Sequence, residues 1–358
     1  MDKVRFGIAG CGWRAMAYVN AARQSMGRFE VTGMTSRTPE KRLQLEAQLG
    51  IGMYETWEAL VEHTKPDFLV VAVAKGNMPQ VLAAAAQSGI PVLSETFLST
   101  DEDSLLALWE AASGGSLVQF AEQFHLQPMA QARLRIVKDG ILGNISQAQV
   151  SVSQSYHGIS LMRAYLGTGF SECFVEARTL TVPTRIGPDK NGDPQRVCVE
   201  PYAQTLGLFD FGGRTGLFDN VREQQFSWFR FERLLVRGEQ GEILNGDVRF
   251  VRDLHTPVSL HLVRRDLGHE ENLEGAGLRC IMLGERCVYE NPFRGLRMTD
   301  DEIAIATLLA NMKACLCGEA QPLYPLREAL EDQYLALLMQ RAAKTGIAQR
   351  TQPRPWSL

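Results

Sequence analysis

Apolar and polar positions follow two different rhythms along this chain. From the start to about residue 121, short runs of consecutive apolar residues recur between segments of helical spacing. Val4, Phe6, Ile8 and Ala9 make the first such run, and 29–35, 67–74, 91–94 and 117–121 make the next. Runs that are apolar on both faces are the pattern of strands buried in a parallel sheet with helices on either side. Between them, 16–22, 40–49, 56–62, 79–88 and 101–112 have helical spacing. Strand and helix in alternation predict a doubly wound parallel sheet. A helix over 128–138 is stopped by Gly140, and from Ser146 the rhythm changes. Residues 147–153 alternate polar and apolar, as in an antiparallel strand with one covered face. Further strands are predicted over 174–182, 205–211, 215–220, 229–237, 242–251, 259–265 and 279–289, with hairpin turns at Gly212-Gly213 and 238–241. Helices over 300–317 and 326–344 follow, and the tail 351–358 is either loose or docked by Trp356. The expected organisation is two domains. Residues 1–122 form an α/β domain around the doubly wound sheet. Residues 123–358 form an α+β domain with an open, mainly antiparallel sheet flanked by helices, the last helices packing back near the first domain.

The junction of the first strand and first helix carries candidate chemistry. Gly10-Cys11-Gly12-Trp13-Arg14-Ala15 is a G-x-G-x-x-A turn in strand–turn–helix context. Gly10 permits the tight turn, Gly12 lets a pyrophosphate approach the backbone, and Ala15 lets the helix pack close to the strand. The helix N-terminus offers free N–H groups and a positive dipole end to an anion, so Trp13 and Arg14 also belong to the candidate site. A glycine turn without a ligand is the bland alternative. The second strand ends in Ser36-Arg37, where a dinucleotide's adenosine ribose lies in such folds and where a carboxylate would select NAD. A hydroxyl and a guanidinium suit a 2′-phosphate instead, which favours NADP over NAD unless Arg37 is only a solvated loop residue. Ligands lie beyond the C-terminal strand ends, so Ala74, Glu95 and Gln123 are expected to border the same crevice, Glu95 and Gln123 at the nicotinamide end.

Composition narrows the classes. Of 358 residues, 45% are hydrophobic and 22% charged, as in a soluble globular protein. The net charge of −4 argues against a nucleic-acid partner. No apolar run reaches the roughly 18 residues that a membrane span needs, and Met1-Asp2-Lys3 leads directly into the first strand, so no leader is expected. The seven cysteines are scattered and odd in number, which suits a reducing cytoplasm. The six histidines form no H-E-x-x-H and no His/Cys cluster, so no metal site is predicted.

With these pieces placed, the chain resembles the Gfo/Idh/MocA oxidoreductases along nearly its whole length. The matching pieces are the glycine turn, Ser36-Arg37-Thr38-Pro39-Glu40, the segment from Ala121 to Pro128, the stretch from His157 to Gly167 and the turn from Arg237 to Gly241. The resemblance implies a Rossmann domain joined to an open antiparallel sheet, a bound NADP or NAD, and hydride transfer to or from a sugar, polyol or related carbonyl/hydroxyl substrate. It also implies a homodimer or homotetramer built through the C-terminal sheet, where Leu206, Leu208, Leu217, Phe229 and Phe231 are candidates for an open face.

Three departures concern the chemistry. The family's E-K-P motif is Glu95-Thr96-Phe97 here, so its lysine is missing. Ser153 and Ser160 stand where the family has aspartates around its histidine. His157 is the surviving acid–base candidate, with a side chain suited to proton transfer near neutrality, although it could instead cap or pack its helix. Tyr156 could donate a proton or be a core residue with a wet tip. Lys75 could replace the missing lysine or be a solvated loop residue, and His125 is taken as packed. Two other functions stay open: a catalytically degenerate dinucleotide-binding sensor or scaffold, and an elimination or hydrolysis with the nucleotide retained.

Overall fold

The computed structural model describes residues 3–96, 99–189, 192–269 and 272–358. Two compact units divide the chain. One comprises Met1–Pro128, Arg265–Cys280 and Glu290–Leu330, and the other Met129–Arg264, Ile281–Tyr289 and Glu331–Leu358.

In the first unit, strands β1 (Val4–Ala9), β2 (Phe29–Thr35), β3 (Met53–Tyr54), β4 (Phe68–Val71), β5 (Val92–Ser94) and β6 (Val118–Phe120) form one sheet in the order β3-β2-β1-β4-β5-β6. Every pairing in it is parallel. Helices α1 (Trp13–Gln24), α2 (Pro39–Leu49), α3 (Trp57–Thr64), α4 (Met78–Gln87) and α5 (Glu102–Ala112) make the crossovers. The apolar runs are buried on both faces, as double cover requires: Phe6, Ile8, Phe68, Leu69, Val70, Leu93 and Phe120 are all fully buried. Phe6 and Phe68 stack across β1 and β4 with ring centroids 5.8 Å apart. The two-residue β3 is too short to leave a periodic signal.

Helix α6 (Pro128–Lys138) leads to the second sheet. Its strands are β7 (Ile145–Ser151), β8 (Phe174–Arg185), β9 (Val199–Asp210), β10 (Thr215–Val221), β11 (Arg233–Gly238), β12 (Gly241–Leu244), β13 (Asp247–Val251), β14 (Pro257–His269), β15 (Asn272–Leu283), β16 (Arg286–Glu290) and β17 (Gln349–Arg350). They run in the order β16-β15-β14-β13-β12-β11-β7-β10-β9-β8-β17. Among the described residues, the pairings from β14 through to β17 are antiparallel except that β10 pairs parallel with β7. Helices α7 (Ser155–Leu166), α8 (Asp300–Leu316) and α9 (Leu326–Thr345) complete the fold.

Small residues set how closely helices approach the second sheet. A Cβ on Gly158 of α7 would lie 2.6 Å from the Phe218 ring, and one on Gly216 of β10 would lie 2.0 Å from Met162 of α7. A Cβ on Gly207 of β9 would lie 2.9 Å from Met339 of α9. α7 therefore sits on β10 and α9 on β9, against the same face. β9 begins before the predicted 205–211 and β14 extends beyond the predicted 259–265, and other predicted strands are divided or start later. The 242–251 stretch is two strands, broken at Asn245 (φ 54°) and Gly246, and 279–289 is likewise divided at Gly284 (φ 59°). Residues 229–232 are irregular, and β11 begins only at Arg233. The tail is docked: Trp356 is buried, and its Nε1 donates to Glu331 Oε2 at 2.9 Å.

Candidate active site

The glycine turn of the first unit is built by close approach. Gly10 has φ +124°, and a Cβ there would lie 2.3 Å from the Ala72 carbonyl oxygen beyond β4. A side chain is therefore excluded both by backbone conformation and by space. The Gly10 N–H donates to Thr35 Oγ1 at 2.8 Å, tying the turn to the end of β2. Gly12 differs. It is the N-cap of α1 with ordinary dihedrals, no side chain caps the helix, and a Cβ there would meet nothing within 4 Å. The first-turn N–H groups have no intrahelical acceptor. An uncapped helix N-terminus beside a glycine that opens onto free space is a cradle that fits a pyrophosphate. Ala15, fully buried, keeps α1 against the sheet, while Trp13 stands 63% exposed at the start of the helix.

Around this turn the other candidates take distinct places. Ser36 is buried, donates its N–H to the Tyr54 carbonyl at 3.0 Å and accepts Arg42 Nη1 on its own carbonyl at 2.7 Å. Arg37 beside it is exposed. Ala74 and Lys75 are exposed, at the entrance to a short 3-10 helix (Lys75–Asn77) after β4. Gln123 is buried in a second 3-10 helix (Gln123–Leu126), and its Oε1 lacks a hydrogen-bond partner. A buried amide oxygen of that kind suits an N–H donor on a bound group, because leaving it unpaired costs about 1–3 kcal/mol.

Glu95 is the most constrained of these residues. It follows β5, and its N–H extends the parallel ladder to the Val71 carbonyl at 2.9 Å. Its carboxylate is buried and accepts the Tyr18 hydroxyl at 2.7 Å. Arg14 Nη2 lies 3.1 Å from the same oxygen as an ion pair without hydrogen-bond alignment. Arg14 Nη1 donates to Asp301 Oδ2 at 3.0 Å. Asp301 is placed by the capping box of α8, in which Thr299 Oγ1 accepts from Glu302 N–H and the Glu302 carboxylate accepts from Thr299 N–H. Arg14 and Tyr18 are four apart on α1 and so share a face. Burial works against the Arg14 charge, but Glu95, Tyr18 and Asp301 outweigh it and raise the pKa. Burial and the Glu95 charge push the Tyr18 hydroxyl up as well, so it stays a donor. Tyr18 and Asp301 escaped the sequence reading. The four-residue spacing from Arg14 to Tyr18 was legible, but nothing local links either of them to Glu95 or Asp301. Of the Glu95-Thr96-Phe97 motif, Phe97 lies outside the described residues.

The second unit holds the remaining candidates. His157 is buried in the first turn of α7, its ring 4.3 Å from that of Tyr156 between centroids and tilted 45° to it. Ser153 and Ser160 are both buried. The Ser160 hydroxyl donates to the His157 carbonyl at 2.8 Å, so it serves the helix backbone. Further along α7, Arg163 Nη1 donates to Asp332 Oδ1 at 2.6 Å, with both side chains almost fully buried.

Residues 4–124 match the family model described as the Gfo/Idh/MocA oxidoreductase family, NAD-binding Rossmann fold. The match is to that family's NAD-binding Rossmann domain. No curated protein matches the chain. Solved structures with the same fold span nearly the whole chain. An NAD-binding oxidoreductase from Klebsiella pneumoniae superposes with a TM-score of 0.72 at 14% identity, covering 99% of this chain and 100% of that one. An oxidoreductase from Agrobacterium radiobacter in complex with NAD+, L-tartaric acid and magnesium gives 0.70 at 15% identity, covering 97% and 98%. A myo-inositol dehydrogenase from Corynebacterium glutamicum gives 0.68 at 15% identity, covering 99% and 100%. At these identities the likeness is one of fold. Among the described residues, no helix is long and apolar enough to cross a membrane, and no group of three or more His, Cys, Asp or Glu is placed to hold a metal ion.

Proposed function

We propose that this protein is an NAD(P)-dependent oxidoreductase of the Gfo/Idh/MocA type, cytoplasmic, acting on a sugar, polyol or related carbonyl/hydroxyl compound. The observation that carries this reading is the Gly10–Ala15 turn, where Gly10 admits no side chain and Gly12 opens onto free space at an uncapped helix N-terminus. In this reading, backbone N–H groups from Trp13 to Ala15 hold the pyrophosphate and Ser36 and Arg37 hold the adenosine end. Ala74, Glu95 and Gln123 border the nicotinamide end. The nucleotide supplies hydride transfer; His157 moves the proton, with Tyr156 and Lys75 as secondary candidates. The inositol dehydrogenase among the structural relatives supports a polyol-type substrate.

The test is Gly12→Val. The added side chain meets no protein atom within 4 Å, so the fold loses at most about 1 kcal/mol from the poorer N-cap. Nucleotide binding, followed by NADH fluorescence, is expected to fall at least a hundredfold. Unchanged binding in a folded variant would remove the nucleotide from this turn.

Nucleotide preference follows from the end of β2. With a hydroxyl and a guanidinium in place of a carboxylate, NADPH is expected to bind more tightly than NADH. Arg37→Ala should erase roughly 1.5–3 kcal/mol of that difference, the range of a charge-assisted hydrogen bond. Parallel titrations of both nucleotides check this, and equal affinities would sink it.

We also propose a homodimer or homotetramer paired through the second sheet. Leu206 and Leu208 of β9 are each 37% exposed on the face opposite α9, and Leu208 lies in register with Leu217 of β10. Phe229 and Phe231 are exposed nearby in sequence but precede β11 instead of lying in it. Pairing two such faces would cover these side chains. Light scattering at micromolar concentration should return a multiple of the chain mass, and a monomer mass would count against the assembly.

A second reading, a dinucleotide-binding sensor or scaffold without turnover, is favoured by Thr96, Ser153 and Ser160 in place of ionisable groups. It predicts nucleotide binding with no hydride transfer on any carbonyl or polyol.

A further inference from the structure

The helix-covered face of the second sheet changes character along its strands. Registers align Val175 of β8 with Phe209 of β9 and Gly216 of β10, and the next row is Ala177, Gly207 and Phe218. Those two rows are apolar, and they are where α7 and α9 sit, through the Gly216–Met162, Gly158–Phe218 and Gly207–Met339 approaches. The following row on the same face is Thr179, Thr205 and Asn220. Three polar side chains therefore stand side by side across three strands, at the point where α7 begins and α9 is ending. Strand spacing puts the outer two about 9.5 Å apart.

A cleft of about 560 Å³ opens over this row. Gln154 and Ser155 at the start of α7 form one wall, and Gln340 and Lys344 of α9 form the other. Phe218, Met339 and Ala343 contribute apolar surface, and Arg222 and Glu223 stand at the rim 3.7 Å apart. Asn220 is 9% exposed, and its Nδ2 has no hydrogen-bond partner. The hydroxyls and amides can both donate and accept, which suits a ligand with many hydroxyl groups. Two rim cations against one carboxylate leave one positive charge uncompensated. An apolar wall with a few convergent polar groups is the usual make-up of a small-molecule site.

We propose that this cleft binds a polyhydroxylated monoanion of the size of a sugar acid, with the Thr179–Thr205–Asn220 row holding its hydroxyls and Arg222 and Lys344 its carboxylate. The cleft is formed by the second unit's own residues, and the proposal stands whether or not the first unit carries a nucleotide.

The experiment is a ligand-observed NMR titration of the full chain without nucleotide. The probe is D-gluconate, with galactonate and glucuronate as further sugar acids. Sorbitol supplies hydroxyls without charge, and acetate supplies charge without hydroxyls. Gluconate is expected to saturate, with sorbitol and acetate at least tenfold weaker. Thr205→Val removes a hydroxyl at nearly constant shape, and Lys344→Gln removes a surface charge. Each should weaken gluconate about tenfold, as the loss of one hydrogen bond or charge contact does, with the melting temperature unchanged. Should Thr205→Val fail to fold, Thr179→Val at the exposed end of the same row takes its place. The proposal is overturned if none of the three sugar acids saturates, if acetate or sorbitol binds as well as gluconate, or if either variant leaves gluconate affinity unchanged. Because no nucleotide is present, these outcomes are independent of the Gly12→Val test.

Discussion

Turnover of inositols, aldoses, ketoses and their lactones with NAD(P)+ or NAD(P)H is expected to be absent or depressed by 10²–10⁴-fold relative to an ordinary dehydrogenase, although the nucleotide binds. One positioned acid or base contributes that much, and the resemblance implies ionisable groups at the three positions held here by Thr96, Ser153 and Ser160. Ser160 carries no negative charge to set against an imidazolium, and its hydroxyl proton is spent on the His157 carbonyl. Arg14 is the cation beside Glu95, and it is committed to Glu95 and Asp301, so it does not take over a lysine's contact with substrate. Losses within one catalytic unit do not add simply, which is why the expected depression is that of one group and not the product of three. Steady-state kinetics on such a panel, with His157→Ala in parallel, measures it. Ordinary turnover on any substrate would overturn the expectation, and ordinary turnover that survives His157→Ala would also remove His157 from the chemistry.

The largest expected loss of stability lies in the second unit. Asp332→Ala should cost about 3–5 kcal/mol, because it leaves the Arg163 guanidinium charged in a site where both partners are almost fully buried. Nη2 of Arg163 also donates to the Gly169 carbonyl at 2.7 Å, just past the end of α7, so the guanidinium cannot swing out to water without giving up that bond as well. A loss of this size lowers the melting temperature by roughly 10 °C in a domain of ordinary length. Differential scanning calorimetry of wild type and variant checks it. A shift under about 2 °C would mean that the pair contributes no more than a surface ion pair. The double variant Asp332→Leu with Arg163→Met should recover much of the loss, since it takes both buried charges out together.

The sequence alone determined the parts of this protein whose physics is local. A buried parallel strand must be apolar on both faces, so its run is visible without knowing its neighbours. The glycine turn was legible because Gly10 has to be glycine: its φ is positive and a neighbouring carbonyl fills the space of a Cβ. The change from apolar runs to alternation near Ser146 likewise follows from a sheet with one covered face. A tight turn inside a long alternating stretch is less visible than the strands it joins. Asn245-Gly246 is a turn pair of the kind that divides hairpins, and it divides β12 from β13.

Tertiary structure decided what depends on residues distant in the chain. Glu95 is held by Tyr18 and Arg14, and Arg14 in turn by Asp301, 287 positions away. No periodicity carries that information, because an ion pair needs only that two folded elements meet. The parallel pairing of β10 with β7 inside a mostly antiparallel sheet is of the same kind. So is the row of Thr179, Thr205 and Asn220, since a strand pattern says which residues share a face but not which strands lie side by side or in what register. The docking of Trp356 on Glu331 was open from sequence for the same reason: an indole in a polar tail is equally compatible with solvent and with a pocket, and only the packed helix α9 beside it supplied the acceptor.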